Sequence, residues 1–366
     1  MSTVVINNKT QPLFILRFIA AVAVVFYHYE PDAIRASFLH PVVSNSSEFV
    51  NFFYFISGFV LVIAYKKYTE NNSFPAKSFW VKRVARIYPV YLSALLIALA
   101  YHFFFQATFT SLGKRLPFEL LMIQTWFYSG SINYPSWSVS CEMFFYLCFP
   151  FIIQSLFVLY KKGRSFYLFF LLMANIVFFS WLYLFLRQQQ NSSSQFLADV
   201  LQNHPVTRIV VFVLGTFCAY LFVNNLWQKY VSERQSTLLA LLAFVGIFYA
   251  LHAIPPHSVF LNYGILAPLY FLFILAACNL TQPVHRILSN RVFIFLGDIS
   301  YAIYILQFPV YLFFAHFVND TKRMQYFLLY LLTLIAASAF SYKFIETPLR
   351  DFITRLFTKS RKLQLS

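Results

Sequence analysis

Apolar stretches of membrane-spanning length recur along the whole chain and dominate its pattern of hydrophobic and polar positions. A helix needs about 20 apolar residues to cross a bilayer, where it satisfies its own backbone hydrogen bonds. We therefore predict an all-α, polytopic integral membrane helical bundle. About ten transmembrane helices are expected, at 12–29, 49–66, 87–108, 137–160, 165–187, 206–223, 236–254, 259–280, 293–318 and 324–345.

The segments between these stretches are modest in length. The apolar stretch 117–128 is too short for a span, so a re-entrant or interfacial piece is expected there. The polar run 188–194 is typical of a solvated linker. No part of the chain resembles a separate soluble domain, which predicts a single transmembrane domain over 1–366, with a core at about 12–350 and a basic cytoplasmic tail at 351–366.

The composition excludes a soluble globular protein, since 60% of the residues are hydrophobic and only 11% are charged. The net charge of +16 alone would be compatible with nucleic-acid binding. The basic residues cluster in alternate loops instead, which is typical of membrane topology. With the N-terminus in the cytoplasm, 21 of the 28 Lys and Arg residues fall on the cytoplasmic side. This bias predicts cytoplasmic termini and an even number of spans, with no nucleic-acid partner.

The first span carries an ionisable residue near each end, Arg17 and His28, with only uncharged residues between them. Eleven residues complete about three helical turns, so the two lie on one face about 16 Å apart. Ionisable groups in spans usually face a bundle interior or a wet cavity. His28 is either a buried histidine that bonds across helices or a general base or proton relay, and the sequence leaves both open.

The fourth predicted span begins with a polar cluster that includes Trp137, Ser140 and Glu142. Glu142 lies about one turn inside an apolar helix. It is either a structural partner of an interior cation or a functional group, as an orienter of His28 or a second acid/base. The tryptophan and serines beside it are equally compatible with an interfacial belt and a helix cap.

Two arginines, Arg83 and Arg86, precede the third predicted span at a spacing that places them on one helix face. On charge alone they are topology signals on the cytoplasmic side. Two guanidinium groups on one face can also clamp a phosphate. Arg17 opens toward the same side of the membrane.

The remaining polar positions inside spans have structural interpretations. The Ser57-Gly58 pair is expected to allow close helix packing. Asp298 is expected to cap the ninth span, and Pro348 to end the tenth. The four cysteines lie in apolar segments without metal-ligand spacing, so no metal is expected.

Together these motifs resemble the acyltransferase-3 family of membrane O-acyltransferases, over nearly the whole chain from Arg17 to Arg350. Six short motifs in the same order carry the resemblance: an Arg and a His separated by ten residues, Phe-Phe-x-x-Ser-Gly-Phe-like, Arg-x-x-Arg, Trp-Ser-x-x-x-Glu-x-x-x-Tyr, Gly-x-x-Ser-Tyr-x-x-Tyr and Glu-x-Pro-x-Arg. Each motif alone is weak, but the set is specific. Many members have a histidine where this chain has Gln307, and glutamine cannot titrate.

The resemblance implies a catalytic His28 and a role for Arg17, Arg83 and Arg86 in binding the acyl donor. It implies substrate or structural support from other motif residues: Trp137, Ser140, Ser300 and Tyr301. Some members carry an appended esterase-like domain, for which these 366 residues have no room.

The expected activity is transfer of an acyl group, with acetyl preferred, from acyl-CoA to a hydroxyl of a carbohydrate-containing acceptor. The implied location is a bacterial inner membrane, and the oligomeric state stays open. Two alternatives remain: a transporter or flippase of lipid-linked sugars with a proton relay at His28 and Glu142, and a non-catalytic scaffold for polysaccharide assembly.

Overall fold

The computed structural model describes residues 8–69, 74–106, 112–161, 165–189, 191–256 and 258–363, and these contain helices and no strand. Thirteen helices of seven or more residues are labelled in chain order. They are α1 (Pro12–Tyr29), α2 (Phe49–Thr69), α3 (Ala76–Tyr101), α4 (Trp137–Lys161), α5 (Ser165–Gln188), α6 (Ser192–Gln202), α7 (Pro205–Val223), α8 (Glu233–Ala253), α9 (Ala267–Ala277), α10 (Gln282–Leu288), α11 (Arg291–Phe317), α12 (Met324–Ser341) and α13 (Thr347–Leu363).

Shorter elements fill the connections. There are single α-helical turns at Asp32–Arg35, His40–Ser44, Leu116–Leu120, Leu226–Tyr230 and Val259–Asn262. Short 3₁₀ turns lie at Asn8–Thr10, Ser46–Glu48, Gln124–Trp126 and Tyr134–Ser136, and π-helical turns follow α3 and α12 at His102–Gln106 and Tyr342–Glu346. The stretch 117–128 is thus too short and too irregular to span a membrane, in agreement with the sequence.

Within the described residues, nine candidate spans are long and apolar enough to cross a membrane, or ten when the pair α9 and α10 counts as one. These two helices meet at an angle of 107°. On α5 and α8, large apolar side chains such as Leu171, Trp181 and Leu241 are exposed, as expected for surfaces that face lipid. The prediction of an all-α polytopic bundle with about ten spans is confirmed.

The helix α1 has the predicted bounds for clear local reasons. Pro12 occupies the first helical position, where its missing N–H costs nothing. The helix ends at Tyr29 because Glu30 precedes Pro31, whose ring disfavours the helical conformation for the residue before it. Arg17 and His28 therefore lie near opposite ends of one uninterrupted helix.

The main helix pairs fix the direction of each span. The helices α1 and α11 run parallel, since Phe14 contacts Gly297 near their beginnings and Tyr29 stacks on Tyr311 at 4.0 Å near their ends. Two parallel helices must be separated by an odd number of spans, and among the described residues six candidate spans lie between α1 and α11 when α9 is left out. If each candidate span between them crosses once, α9 must cross as well.

Contacts of α9 agree with that requirement, because α9 runs antiparallel to α8. Phe244 lies beside Phe273 at 6.3 Å between ring centroids, whereas Ser236, near the start of α8, accepts a 2.9 Å hydrogen bond from Asn279, beyond the end of α9. The pairing favours ten spans and termini on one side of the membrane. The cytoplasmic location of both termini stays a prediction.

Three local expectations were wrong, and two of them concern the start of the ninth span and the end of the tenth. Asp298 does not cap the ninth span, because α11 begins two turns earlier, where the Asn290 side chain accepts a 2.9 Å hydrogen bond from the Phe293 N–H. Pro348 does not end the helical region; it lies in the first turn of α13, where proline is tolerated. The described part of the predicted tail is therefore helical.

The third wrong expectation concerns the polar run before the sixth span, where the sequence suggested a linker through residue 194. The helix α6 begins at Ser192, after Asn191 accepts a 2.7 Å hydrogen bond from the Ser194 N–H as an N-cap. It ends before Pro205, which starts α7. Arg208 donates two hydrogen bonds to the Gln202 carbonyl, at 2.9 and 2.6 Å, and so satisfies the end of α6.

Candidate active site

A cavity of about 160 Å³ lies between α1, α2, α3, α4 and α11. Its polar lining includes most of the ionisable residues that the sequence analysis singled out. Side chains of seven polar or aromatic residues matter for the argument: Arg17, Ser57, Arg83, Arg86, Glu142, Tyr146 and Tyr301. The structure thus brings together residues that lie as far apart in sequence as Arg17 and Tyr301.

A carboxylate with two hydroxyl donors lies in the wall of this cavity. Ser57 on α2 donates a 2.9 Å hydrogen bond to Oε1 of Glu142 on α4, and the Tyr146 hydroxyl donates to the same oxygen. The two hydroxyl groups are 3.1 Å apart. Glu142 and Tyr146 meet because residues four apart share one face of a helix. The serine comes from a different helix, so tertiary packing completes the group.

The packing of α2 against α7 places Ser57. A Cβ at Gly58 would collide with the Phe212 carbonyl oxygen of α7, and a Cβ at Gly215 would collide with the Phe55 backbone of α2. Each helix therefore presents a glycine to the backbone of the other. Such close approach through small residues is a common way of fixing membrane helices. The packing role expected for this pair falls to Gly58, which leaves the Ser57 hydroxyl to face the cavity.

The three cavity arginines differ in their partners. Arg86 forms an ion pair with the fully buried carboxylate of Glu346, and Arg350 lies 4.0 Å from the same oxygen. Neither Arg17 nor Arg83 has an ion-pair partner among the described residues. Two cations therefore line the cavity without a carboxylate that neutralises them directly.

Arg83 also lies beside two aromatic rings, one of them the ring of Tyr146. Its guanidinium is 5.9 Å from the ring centroid of Tyr146 and 5.9 Å from that of Phe79, and its Nε is buried without a hydrogen-bond partner among the described residues. A buried donor without a partner costs free energy, so it favours binding of an acceptor group. The position of Arg83 suits an anionic or carbonyl-bearing ligand in the cavity.

The other residues of the predicted set have different surroundings. Tyr301 lines the cavity and donates a 3.1 Å hydrogen bond to the Ile87 carbonyl. Ser300 donates to the Gly297 carbonyl of its own helix, and Ser140 accepts a 2.7 Å hydrogen bond from Thr125. Trp137 packs under the Arg208 guanidinium at 5.3 Å. Ser140, Ser300 and Trp137 are outside the cavity lining, and their contacts are structural.

His28 is not among the residues that line the cavity. It lies one residue before the end of α1, and its ring packs edge-on against Tyr134 at 5.0 Å between centroids. No hydrogen bond joins it to Glu142 within the described parts of the chain, so the contacts do not support Glu142 as its orienter. Tyr304, which lines the cavity, donates a 3.2 Å hydrogen bond to the carbonyl of Pro135, next to Tyr134. The residues Tyr134 and Pro135 thus connect His28 with the cavity, because Tyr134 contacts the His28 ring and Pro135 is hydrogen-bonded to Tyr304 in the cavity wall.

The loop that carries Tyr134 is held by a buried carboxyl group, Glu119. Its Oε1 accepts a 2.7 Å hydrogen bond from the Ile132 N–H, and its Oε2 lies 3.3 Å from the Ser136 hydroxyl and 3.2 Å from that of Tyr91. The Tyr91 hydroxyl donates its one proton to the Glu119 backbone carbonyl at 2.7 Å, which leaves room for a proton on the carboxyl.

Burial raises the pKa of Glu119 to about 7, although the Ile132, Tyr91 and Ser136 hydrogen bonds oppose that rise. The group therefore titrates near neutral pH at the base of the loop over His28.

Sequence reasoning missed two features of this region. Ser57 was interpreted only through the packing of its motif, and its contact with Glu142 joins residues 85 positions apart. Glu119 has no recognisable motif around it. An acidic residue in an otherwise apolar segment was its only signal. Groups of three or more His, Cys, Asp or Glu side chains with metal-binding geometry do not occur in the part of the chain that the structure describes.

The fold and the cavity define an integral membrane protein with a polar site between its helices. The chain belongs to the acyltransferase-3 family: the family profile, described as an acyltransferase domain, matches residues 13–342. The resemblance seen in the sequence motifs is thereby confirmed.

Relatives in Staphylococcus aureus support this assignment. A protein of strain COL named "Putative O-acetyltransferase" is 25% identical over 92% of this chain and 56% of its own length. O-acetyltransferase OatA of strain MRSA252 is 22% identical over 96% of this chain and 59% of its own length. The chain thus spans little more than half the length of these relatives. No solved structure is significantly similar to it.

Proposed function

We propose that the protein is an integral membrane O-acyltransferase that moves an acyl group from acyl-CoA to a hydroxyl of a carbohydrate-containing acceptor. The observation that carries this proposal is the cavity beside the Ser57–Glu142–Tyr146 group, where Arg17 and Arg83 have no ion-pair partner among the residues that the structure describes. The family and the names of the relatives favour acyl transfer, and acetyl is the first acyl group to test.

Arg17 and Arg83 suit an anionic donor. Guanidinium groups bind phosphate through paired hydrogen bonds, and CoA presents several phosphate oxygens. A cavity of about 160 Å³ is smaller than most ligand pockets, so it would enclose the acyl group and part of the pantetheine arm, with the phosphates at its mouth. In the predicted topology Arg17, Arg83 and Arg86 lie toward the cytoplasm, where CoA is made.

The acceptor would bind at the other end of α1. His28 lies there under Tyr134, whose side chain is 48% exposed, so an acceptor can approach from outside the bundle. A neutral imidazole can take the proton of a hydroxyl as that hydroxyl attacks a carbonyl carbon. His28 is therefore the proposed general base for the acceptor. A bacterial inner membrane is the proposed location, since it separates cytoplasmic CoA from cell-envelope carbohydrate.

The test is acyl transfer by the purified full-length protein in detergent or lipid nanodiscs. The protein is incubated with isotope-labelled acetyl-CoA and fractionated cell-envelope carbohydrates, and products are identified by mass spectrometry. We expect labelled O-acetyl ester on an acceptor and release of CoA that depends on that acceptor. The alternative of a sugar transporter predicts movement of lipid-linked sugar in vesicles without CoA. That result, with no acyl transfer to any fraction, would overturn the proposal.

A further inference from the structure

We infer that Ser57 is a nucleophile that carries the acyl group as an ester during the reaction, with Glu142 as its base. This inference rests on the proposed acyl transfer and adds a covalent intermediate to it. The Ser57 hydroxyl donates a 2.9 Å hydrogen bond to the Glu142 carboxylate, and both side chains line the cavity. A hydroxyl bonded to a carboxylate in a ligand-accessible cavity has the arrangement of an activated nucleophile.

The contact of Ser57 differs from that of other serines within the spans. Ser93 donates to the Pro89 carbonyl at 2.9 Å and Ser180 to the Ile176 carbonyl at 2.8 Å, each four residues earlier in its own helix. Serine in a helix usually makes this local bond. Ser57 instead bonds to a carboxylate on another helix. Since Gly58 provides the close contact with α7, helix packing does not account for the hydroxyl at position 57.

Tyr146 supports this pair from the other side. Its hydroxyl donates to the same Glu142 oxygen, so it fixes the carboxylate in the orientation that faces Ser57. A nucleophile, a base and a group that orients the base together form the recurring arrangement of covalent catalysis. Tyr146 is only 5% exposed, whereas Ser57 is half-buried and open to the cavity. The serine is therefore the hydroxyl that a thioester can reach.

In the first half-reaction Oγ of Ser57 attacks the carbonyl carbon of the thioester. Its proton passes to the Glu142 carboxylate, the carbon–sulfur bond breaks, and CoA leaves as the thiolate. The products are acyl-Ser57, protonated Glu142 and CoA thiolate.

In the second half-reaction the acceptor hydroxyl attacks the carbonyl carbon of acyl-Ser57. The proton of that hydroxyl passes through water to His28, which lies outside the cavity, and is released from there, while the Ser57 oxygen leaves with the proton held by Glu142. The net reaction converts thioester and alcohol into ester, CoA thiolate and one proton.

Two successive steps suit the positions of the two groups, since Ser57 lines the cavity and His28 lies outside it. Phe53 and Tyr304, with ring centroids 5.9 Å apart, line the end of the cavity that is linked to the His28 segment.

The test is acylation of the full-length detergent-purified protein by labelled acetyl-CoA without acceptor. We expect about one label per protein, located at Ser57 by peptide mass spectrometry and released when an acceptor is added. Ser57→Ala should give no label, and Glu142→Gln should label about 10²–10⁴-fold more slowly. The matched control Ser180→Ala removes a hydroxyl that bonds only to its own helix, and it should label like the wild type.

A second variant distinguishes loss of the nucleophile from loss of the fold. Ser57→Cys should accept the label as a thioester that neutral hydroxylamine cleaves, whereas the serine ester resists that treatment. Label on Tyr146 or His28, or Ser57→Ala turnover within a few-fold of wild type, would overturn the inference. Wild-type transfer to the acceptor with no protein-bound label, in rapid-quench samples as well, would overturn it and leave the proposed function intact. Absence of both label and transfer would overturn the two together.

Discussion

Replacing Arg86 by alanine should destabilise the protein much more than replacing Arg83, although the two lie on one helix face and share one motif. Arg86 is paired with Glu346, which has no exposed side-chain surface, while Arg83 has no ion-pair partner among the described residues. The sequence alone gave both arginines the same role in donor binding. The structure predicts a loss of stability for Arg86→Ala and a loss of donor affinity for Arg83→Ala.

The magnitude follows from the charge that is left behind. Removing one partner of a buried ion pair costs about 3–5 kcal/mol, because the other charge stays buried and unpaired. Arg350 remains at 4.0 Å from Glu346, so the lower end of that range applies to Arg86→Ala. A loss of about 3 kcal/mol would lower the melting temperature by on the order of 5 °C in a protein of this size. The double variant Arg86→Ala/Glu346→Gln should regain most of it.

Arg83→Ala should show the opposite profile. We expect a nearly unchanged melting temperature and a weaker affinity for acetyl-CoA, by about 1.5–3 kcal/mol for a lost charged hydrogen bond. That range corresponds to a roughly 10- to 150-fold increase in Kd. Arg83→Lys should restore only part of the affinity, since an ammonium group lacks the planar fork of guanidinium.

Thermal unfolding of the detergent-purified variants and equilibrium binding of labelled acetyl-CoA measure the two quantities. Arg234→Ala is the matched control, because Arg234 is exposed at the start of α8 and should change neither. The reasoning would be refuted if Arg86→Ala unfolded at the wild-type temperature, or if the Glu346→Gln change failed to rescue it. Unchanged acetyl-CoA affinity in Arg83→Ala would reduce that arginine to a topology signal.

Three further predictions concern other parts of the chain. His28→Gln keeps hydrogen bonding without proton uptake, so turnover at matched expression should fall about 10²–10⁴-fold, and activity within a few-fold of wild type would remove His28 as the base. The Glu119 pKa is raised from 4.5 to about 7, so its stabilising contribution is present below pH 4.5 and is lost as the pH rises through 7. The wild-type melting temperature should fall between pH 5 and 8 more than that of Glu119→Gln, and equal slopes would contradict the buried titration. A reporter fused after Ser366 should read cytoplasmic, and a periplasmic signal would refute the predicted orientation.

Local chemistry made some features predictable from the sequence. The bounds of α1 follow from Pro12 at its start and Pro31 after its end, both local effects. The Glu-x-Pro-x-Arg motif likewise spaces Glu346 and Arg350 four residues apart, and the structure brings their charged groups to 4.0 Å. The helix α6 was missed because polar residues at its start outweighed the cap that Asn191 provides.

Contacts between distant residues were not predictable in the same way. Arg86 meets Glu346 across 260 positions, and no local pattern distinguishes Arg86 from Arg83. Spacing on α1 suggested that Arg17 and His28 open into one chamber. In the structure Arg17 lines the cavity and His28 lies outside it, because Tyr134 and Tyr304 lie between His28 and the cavity.

The parallel contact between α1 and α11 has a consequence for biosynthesis. During translation α1 emerges first, but its main partner follows only after residues 30–290 have been made. At about 5–20 residues per second, α1 waits between roughly 10 and 50 s in the membrane with the Arg17 guanidinium lacking its final surroundings. Until the ninth span arrives, the long Arg17 side chain is therefore solvated by water or lipid headgroups at the membrane surface rather than by the cavity.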